Sequence, residues 1–144
     1  MEELLVYAIL ICEGFALEDE FQSRLDEMFL NNPNNNDLLE LECMSNIKNQ
    51  IVYIRANFDY NNINIESFGK TLMKKLNEAY HSTDLRRFAG MMFHLWESLP
   101  GNIYNIEPFR TLSYGDEPLC YNDEQQSRIL IEKMLNYYEN SCQD

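Results

Sequence analysis

Apolar side chains recur at intervals of three and four residues along most of this chain, which is the spacing of one helix face. The clearest case follows Ser82, Thr83 and Asp84, whose side-chain oxygens can accept the unpaired amide hydrogens of a first helical turn. Pro100-Gly101 then ends the pattern. The positions predicted to be buried on this helix are Leu85, Phe88, Ala89, Met92, Leu95, Trp96 and Leu99.

The same spacing predicts helices elsewhere, separated by breaks rich in Asn and Pro. They cover residues 2–13, 18–30 and 65–79, with a further helix capped by Asp37 and a last one begun by Asn122 or Asp123. In the last helix Ile131 and Met134 are among the residues expected to face inward.

Residues 51–58 fit two interpretations. The β-branched and aromatic side chains of Ile51, Val52, Tyr53 and Ile54 suit a strand, while the spacing of Ile51, Ile54 and Phe58 suits a helix. No second convincing strand exists to pair with this segment, so we predict a helix. The expected fold is all-α: a single compact bundle of about six helices in one domain, residues 1–144, with a long irregular loop before the last helix.

Residues 100–122 form that loop, because no apolar period is sustained there. Three of the four prolines and two of the five glycines of the chain lie in this stretch. Long irregular loops inside a small domain are uncommon and often carry function.

The chain is strongly acidic, with 24 Asp and Glu against 11 Lys and Arg and a formal net charge of −13. Residues 1–42 carry −10, residues 43–87 carry +3 and residues 88–144 carry −6. Such a surface repels phosphates and anionic lipids, which argues against a direct nucleic-acid or membrane binder. It favours a basic protein partner, and plain solubility is the alternative.

The apolar run Leu4–Cys12 is nine residues long, too short to span a bilayer. Glu2 and Glu3 precede it where a secretion signal would carry Lys or Arg, so we expect a buried first helix in a cytoplasmic protein. No C-x-x-C pair occurs, which favours free thiols over a zinc site or a disulfide framework. The cysteines are Cys12, Cys43, Cys120 and Cys142.

No catalytic signature emerges from the sequence. There are two histidines, His81 and His94, and neither has an acid or cysteine at metal-ligand spacing. The five glycines never cluster into a phosphate-binding loop, and no G-x-S-x-G occurs. We therefore expect a protein that is not an enzyme, with no metal, no cofactor and no indicated small-molecule ligand.

Aromatic and acidic side chains alternate over residues 96–123, a composition typical of interface anchors and their charged surroundings. The predicted partner-binding residues are Glu107, Tyr114, Asp116, Glu117, Tyr121 and Asp123. A second candidate patch consists of Glu18, Asp19 and Glu20. The alternative is that the aromatics, Trp96 and Phe109 among them, pin the loop to the helices while the acids face water.

Several runs in the second half of the chain carry a family resemblance. They are Trp96-Glu97-Ser98-Leu99-Pro100-Gly101-Asn102-Ile103, Glu107-Pro108-Phe109, Leu112-Ser113-Tyr114, Asp116-Glu117-Pro118-Leu119 and Glu132-Lys133-Met134-Leu135-Asn136-Tyr137-Tyr138. With them, residues 50–140 resemble bacterial immunity proteins encoded beside polymorphic toxins, including those of contact-dependent growth inhibition systems.

The resemblance implies a cytoplasmic antidote that binds a cognate toxin domain and occludes its active site. Many such toxins are nucleases, often RNases, and an acidic inhibitor can cover the cationic cleft of a nuclease. A second hypothesis from the charge alone is a nucleic-acid mimic that inhibits a bacterial defence nuclease.

Overall fold

The computed structural model describes residues 1–141, with side chains described as far as residue 139, and this part of the chain is all-α. Eight α-helices follow one another, and no strand occurs among the described residues. Their bounds are α1 Glu2–Cys12, α2 Glu18–Asn31, α3 Asn36–Cys43, α4 Ile47–Asn57, α5 Ile65–Ser82, α6 Leu85–Glu97, α7 Glu124–Leu135 and α8 Tyr137–Ser141. Three 3₁₀ helices lie between them, at Tyr60–Asn62, Phe109–Ser113 and Glu117–Tyr121.

The all-α prediction is confirmed, and the prediction of about six helices was too low. Asn136 divides the predicted last helix into α7 and α8, and residues 44–46 separate α3 from α4. Residues 51–58 belong to α4 up to Asn57, as expected. The predicted irregular loop contains two of the 3₁₀ helices, whose short runs leave no apolar period to read.

Side-chain caps fix most of the helix starts. Asp84 accepts a hydrogen bond from the Arg87 amide at the start of α6, as the sequence predicts. Asp37 does not cap α3, because Asn35 takes that position and accepts from the Leu38 amide. Asn is as good a cap as Asp, and the cap two residues earlier adds Asn36 and Asp37 to the start of the helix.

The chain divides into two compact units, residues 1–62 and residues 63 onward. In the first unit, α1 is buried on every face over Leu4–Leu10, and α2 and α4 pack against it. Phe21 and Leu25 of α2 and Ile54 of α4 complete the apolar interior of this unit.

In the second unit, α5 packs against α6 and α7, and the 3₁₀ helix Phe109–Ser113 packs against α6 and α7. The fully buried rings of Phe68 in α5 and Phe109 lie 5.9 Å apart between centroids. The loop that the sequence predicted is therefore anchored in the core of this unit by its aromatic and aliphatic side chains. Among the described residues, no helix combines the length and the apolar character that crossing a bilayer requires.

Candidate functional site

Four of the predicted partner-binding residues lie around one groove in the second unit. The groove encloses about 310 Å³ and is lined by Tyr114, Glu117, Pro118, Tyr121, Asp123 and Leu130. Tyr121 is 81% exposed, which is unusual for so large an aromatic side chain. The groove thus combines an exposed aromatic ring, an apolar wall and two carboxylates.

A tight turn joins the third 3₁₀ helix to α7 and places the two groove carboxylates. Glu117 opens the 3₁₀ helix, with Pro118 in its first turn, where the missing amide hydrogen of proline is no loss. Asn122 then adopts a left-handed conformation with φ of 59°, which Asn tolerates better than most residues. Asp123 follows and caps α7 by accepting a hydrogen bond from the Gln126 amide at 3.0 Å.

A buried hydrogen bond and close packing hold the backbone beside this turn. The fully buried Ser127 donates a hydrogen bond from Oγ to the Gly115 carbonyl oxygen at 3.0 Å, which ties α7 to the chain before Glu117. Gly115 is packed so closely that an added Cβ would lie 2.9 Å from the Met92 Cε and 3.0 Å from the Thr111 carbonyl oxygen. Both contacts fix the backbone at Gly115, immediately before the 3₁₀ helix that carries Glu117 and Tyr121.

Glu107 and Asp116 do not line the groove. The Glu107 carboxylate accepts a hydrogen bond from the buried Thr111 hydroxyl at 3.0 Å, so it satisfies a polar group at the base of the loop. Asp116 is half-buried and precedes the 3₁₀ helix without making a side-chain cap. Glu107, which the sequence predicts as a partner-binding residue, is exposed outside the groove and also makes this internal hydrogen bond.

The groove lining carries two carboxylates and no Lys or Arg. Residues 111–127 contain four acids and no Lys or Arg, and Arg110 and Arg128 lie just outside this stretch of the sequence. Glu124, which follows Asp123, approaches Arg86 of α6 only at 3.9 Å with both side chains more than half exposed. At that distance and exposure the pair is screened by water, so it leaves the negative potential of the groove largely intact.

The second candidate patch lies in the first unit, at the start of α2. Glu18, Asp19 and Glu20 are exposed and occupy the first turn, where negative side chains interact favourably with the helix dipole. Glu20 also accepts a hydrogen bond from the buried Tyr7 hydroxyl at 2.9 Å. These contacts give the patch a role in the stability of α2.

The aromatic residues of the loop divide into buried anchors and exposed groups. The Trp96 indole donates a hydrogen bond to the Tyr104 carbonyl oxygen at 2.7 Å, and Phe109 is fully buried. These residues pin the loop to the helices, as the alternative interpretation holds, while Tyr121 faces solvent.

The two histidines and the described cysteines lie outside the groove. His81 contacts the Asn77 carbonyl oxygen through Nδ1 within α5, and His94 is exposed. No group of three or more potential metal ligands occurs among the described residues. The exposed thiols of Cys12, Cys43 and Cys120 are free, and Cys142 lies outside the described residues.

Sequence reasoning missed two parts of the molecule. Pro118 and Leu130 complete the groove wall, and only the fold brings Leu130 of α7 beside Tyr114, Glu117 and Tyr121.

A carboxyl pair in the first unit, Glu42 of α3 and Asp26 of α2, was also missed. Burial first, and then the hydrogen bond and charge of Asp26, raise the pKa of Glu42 to about 6. No sequence pattern links Glu42 with Asp26, because the pair forms only when helices α2 and α3 pack together.

Comparisons with protein families, with curated proteins and with solved structures found no match to this chain.

Proposed function

We propose that this chain is an immunity protein that binds a basic toxin domain and blocks its active site, with the groove at Tyr114, Glu117, Tyr121 and Asp123 as the centre of the interface. The observation that carries the proposal is Tyr121, 81% exposed and bordered by carboxylates with no Lys or Arg in residues 111–127. Exposed tyrosines that border an apolar wall are typical anchors of protein interfaces.

In this proposal the carboxylates of Glu117 and Asp123 pair with Lys or Arg side chains that line the toxin active site. The Tyr121 ring buries apolar area against the toxin and excludes water from those pairs. The net charge of −13 steers a cationic toxin toward the inhibitor and speeds their association. The chain acts in the cytoplasm, without catalysis and without a cofactor.

A toxin with nuclease or RNase activity fits this proposal best, because a nuclease cleft is itself cationic in order to hold phosphate. The resemblance to immunity proteins of contact-dependent growth inhibition systems supports the same class of partner. A nucleic-acid mimic would need carboxylates spaced like phosphates along a path. The exposed Tyr121 and the apolar wall favour a protein partner recognised through packing as well as charge.

The direct test is co-expression with the product of the gene immediately upstream. We expect co-purification of the two proteins and rescue of growth when the upstream product is induced. Growth arrest that the chain fails to relieve, with no complex on size-exclusion chromatography, would contradict the proposal for that partner. Capture of a DNA- or RNA-guided defence nuclease in place of a toxin would support the mimic.

Groove variants then locate the interface on this surface. Tyr121→Ala should weaken binding by about tenfold or more, since interface tyrosines commonly contribute above ~1 kcal/mol. Glu117→Gln combined with Asp123→Asn should slow association and flatten its dependence on salt, and Asn at position 123 keeps the α7 cap. Surface plasmon resonance at several salt concentrations measures both effects.

The matched control neutralises two exposed carboxylates outside the groove, with Glu40→Gln and Glu97→Gln in one chain. It changes the net charge by the same amount as the groove pair. If control and groove variants slow association equally, the total charge and not the groove determines binding, and the proposed interface is wrong.

A further inference from the structure

A second cavity, of about 540 Å³, lies in the second unit and shares no lining residue with the groove. It is formed by one face of α5, the end of α7 and the start of α8. Its lining residues are Lys70, Met73, Lys74, Asn77, Leu135, Tyr138 and Glu139. Its volume lies within the range of roughly 300–1,000 Å³ typical of small-molecule sites.

One side of the cavity is cationic. Lys70, Lys74 and Asn77 lie four and three residues apart, so they share one face of α5. Lys70 forms an ion pair with Glu66 at 2.7 Å, while Lys74 is exposed and takes part in no ion pair among the residues that the structure describes. An ammonium group and an amide therefore border the same opening.

The other side of the cavity is apolar. Met73 and Leu135 are buried in the core of the unit and present their side chains to the cavity. The Tyr138 ring lies against Gly69, where a Cβ would overlap the Tyr138 hydroxyl. Burial first, and then the charges of Tyr137 and Glu66, raise the pKa of Tyr138 to about 12, so its hydroxyl remains a hydrogen-bond donor at neutral pH.

The sign of the charge distinguishes this cavity from the groove. Its lining carries two ammonium groups and one carboxylate, that of Glu139, whereas the groove lining carries two carboxylates and no cation. In a chain of net charge −13, an anion is repelled from most of the surface. This cavity offers it the ammonium group of Lys74 and the side-chain amide of Asn77 together with apolar walls.

We propose that the cavity binds a small organic monoanion with an apolar tail, of the class of a medium-chain aliphatic carboxylate. The anionic head lies over Lys74 and Asn77, and the tail packs on Met73, Leu135 and the Tyr138 ring. This ligand site goes beyond the proposed inhibition of a toxin, because none of its residues lines the groove.

The experiment is an NMR titration of the full chain with sodium octanoate, compared with octylammonium chloride and octanol. We expect octanoate to shift the signals of Met73, Asn77 and the Tyr138 ring in a saturable manner. Octylammonium, which carries the opposite charge on the same tail, should bind at least about tenfold more weakly, a difference of ~1.4 kcal/mol. Equal affinity for the two ions, or shifts spread over the whole molecule, would overturn the proposal.

Two variants separate the cavity from general charge effects. Lys74→Glu should weaken octanoate binding about tenfold or more, and Lys48→Glu, an equal charge change at an exposed lysine of the first unit, should leave it unchanged. Circular dichroism checks that both variants fold, and Lys74→Gln gives the same test without charge reversal. Equal weakening by the two glutamate variants would overturn the site. Toxin binding should be unaffected by Lys74→Gln, so failure of this site and failure of the proposed function remain distinguishable.

Discussion

At the scale of single residues, Gln50 is a buried polar side chain that links three helices of the first unit. Its side chain is buried in α4, donates from Nε2 to the Leu41 carbonyl oxygen at 3.0 Å, and accepts from Gln22 at 2.7 Å. One amide thus joins α4 to the end of α3 and to α2. Loss of this side chain removes two hydrogen bonds: the Leu41 carbonyl oxygen keeps only the Met44 amide as a donor, and the Gln22 amide loses its acceptor.

Gln50→Met keeps nearly the same volume and removes those hydrogen bonds. We expect the free energy of unfolding to fall by about 1–3 kcal/mol, measured by urea denaturation. The control is Asn49→Met at the exposed neighbouring position, expected to change stability by less than about 0.5 kcal/mol. Equal losses in both variants would mean that the Gln50 bonds contribute nothing specific.

Glu42 makes the stability of the first unit depend on pH. Its pKa of about 6 in the folded chain exceeds the ordinary value of 4.5, so folding favours the protonated carboxyl. The stability gained in this way is present below about pH 4.5 and is lost as the pH rises through 6.

Glu42→Gln mimics the protonated side chain and should remove that loss. After allowance for the solvent around a half-buried carboxyl, we expect the variant to be more stable than the natural chain by about 1 kcal/mol at neutral pH. Near pH 4 the two chains should be equally stable. Urea midpoints across this range test the prediction, and Glu40→Gln at an exposed position of the same helix should show no such divergence.

At the scale of helices, two glycines in helix interiors have opposite surroundings. A Cβ on Gly90 of α6 would meet no atom within 4 Å, whereas a Cβ on Gly69 of α5 would overlap the Tyr138 ring. Gly90→Ala should therefore stabilise the chain by about 0.5–1 kcal/mol through helix propensity. Gly69→Ala should destabilise it by about 1–3 kcal/mol because Tyr138 must leave its packing position. Thermal and urea unfolding of both variants provide the comparison, and stabilisation by both would refute the close packing at Gly69.

The sequence predicted those helices whose signals are local. The α6 start at Asp84 and the α7 start at Asp123 follow from capping chemistry, and α4 follows from spacing and the lack of a partner strand. The predicted cap of α3 was wrong because Asn35 and Asp37 are equally good caps by residue type, and the helix begins after Asn35. The 3₁₀ helices Phe109–Ser113 and Glu117–Tyr121 could not be predicted, because each depends on the burial of an apolar side chain, Phe109 in the first and Leu119 in the second.

The sequence predicted several residues of the candidate site, but it could not predict the groove that they line. Tyr114, Glu117, Tyr121 and Asp123 were named from an aromatic and acidic alternation, and the fold gathers them around one groove. Glu107 lies outside the groove, and its carboxylate accepts a hydrogen bond from the Thr111 hydroxyl, a contact that depends on the side-chain rotamers of both residues. No residue pattern marks the second cavity, because its walls come from helices that are distant in sequence.

At the scale of the whole molecule, charge is divided unevenly between the two units. Residues 1–62 hold twelve acids and three bases, a net of −9, and residues 63–144 hold twelve acids and eight bases, a net of −4. Like charges at this density repel one another in the folded chain. The first unit therefore has the greater electrostatic destabilisation.

Added salt should act in opposite directions on folding and on partner binding. Raising NaCl from about 20 mM to about 300 mM shortens the Debye length from roughly 20 Å to roughly 6 Å. We expect the urea midpoint at neutral pH to rise while the association rate with a basic toxin falls. A midpoint that falls with salt would mean that attractive ion pairs, such as Arg24 with Glu3, outweigh the repulsion.

The cap at the start of α7 has a consequence for recognition. Because Asp123 accepts the Gln126 amide hydrogen, its carboxylate is already immobilised when the chain is alone. The rotational freedom of that side chain is lost during folding, so an arriving cation finds an acceptor that needs no further ordering. A mobile surface carboxylate would lose this freedom at the moment of contact, and the complex would be weaker by that amount.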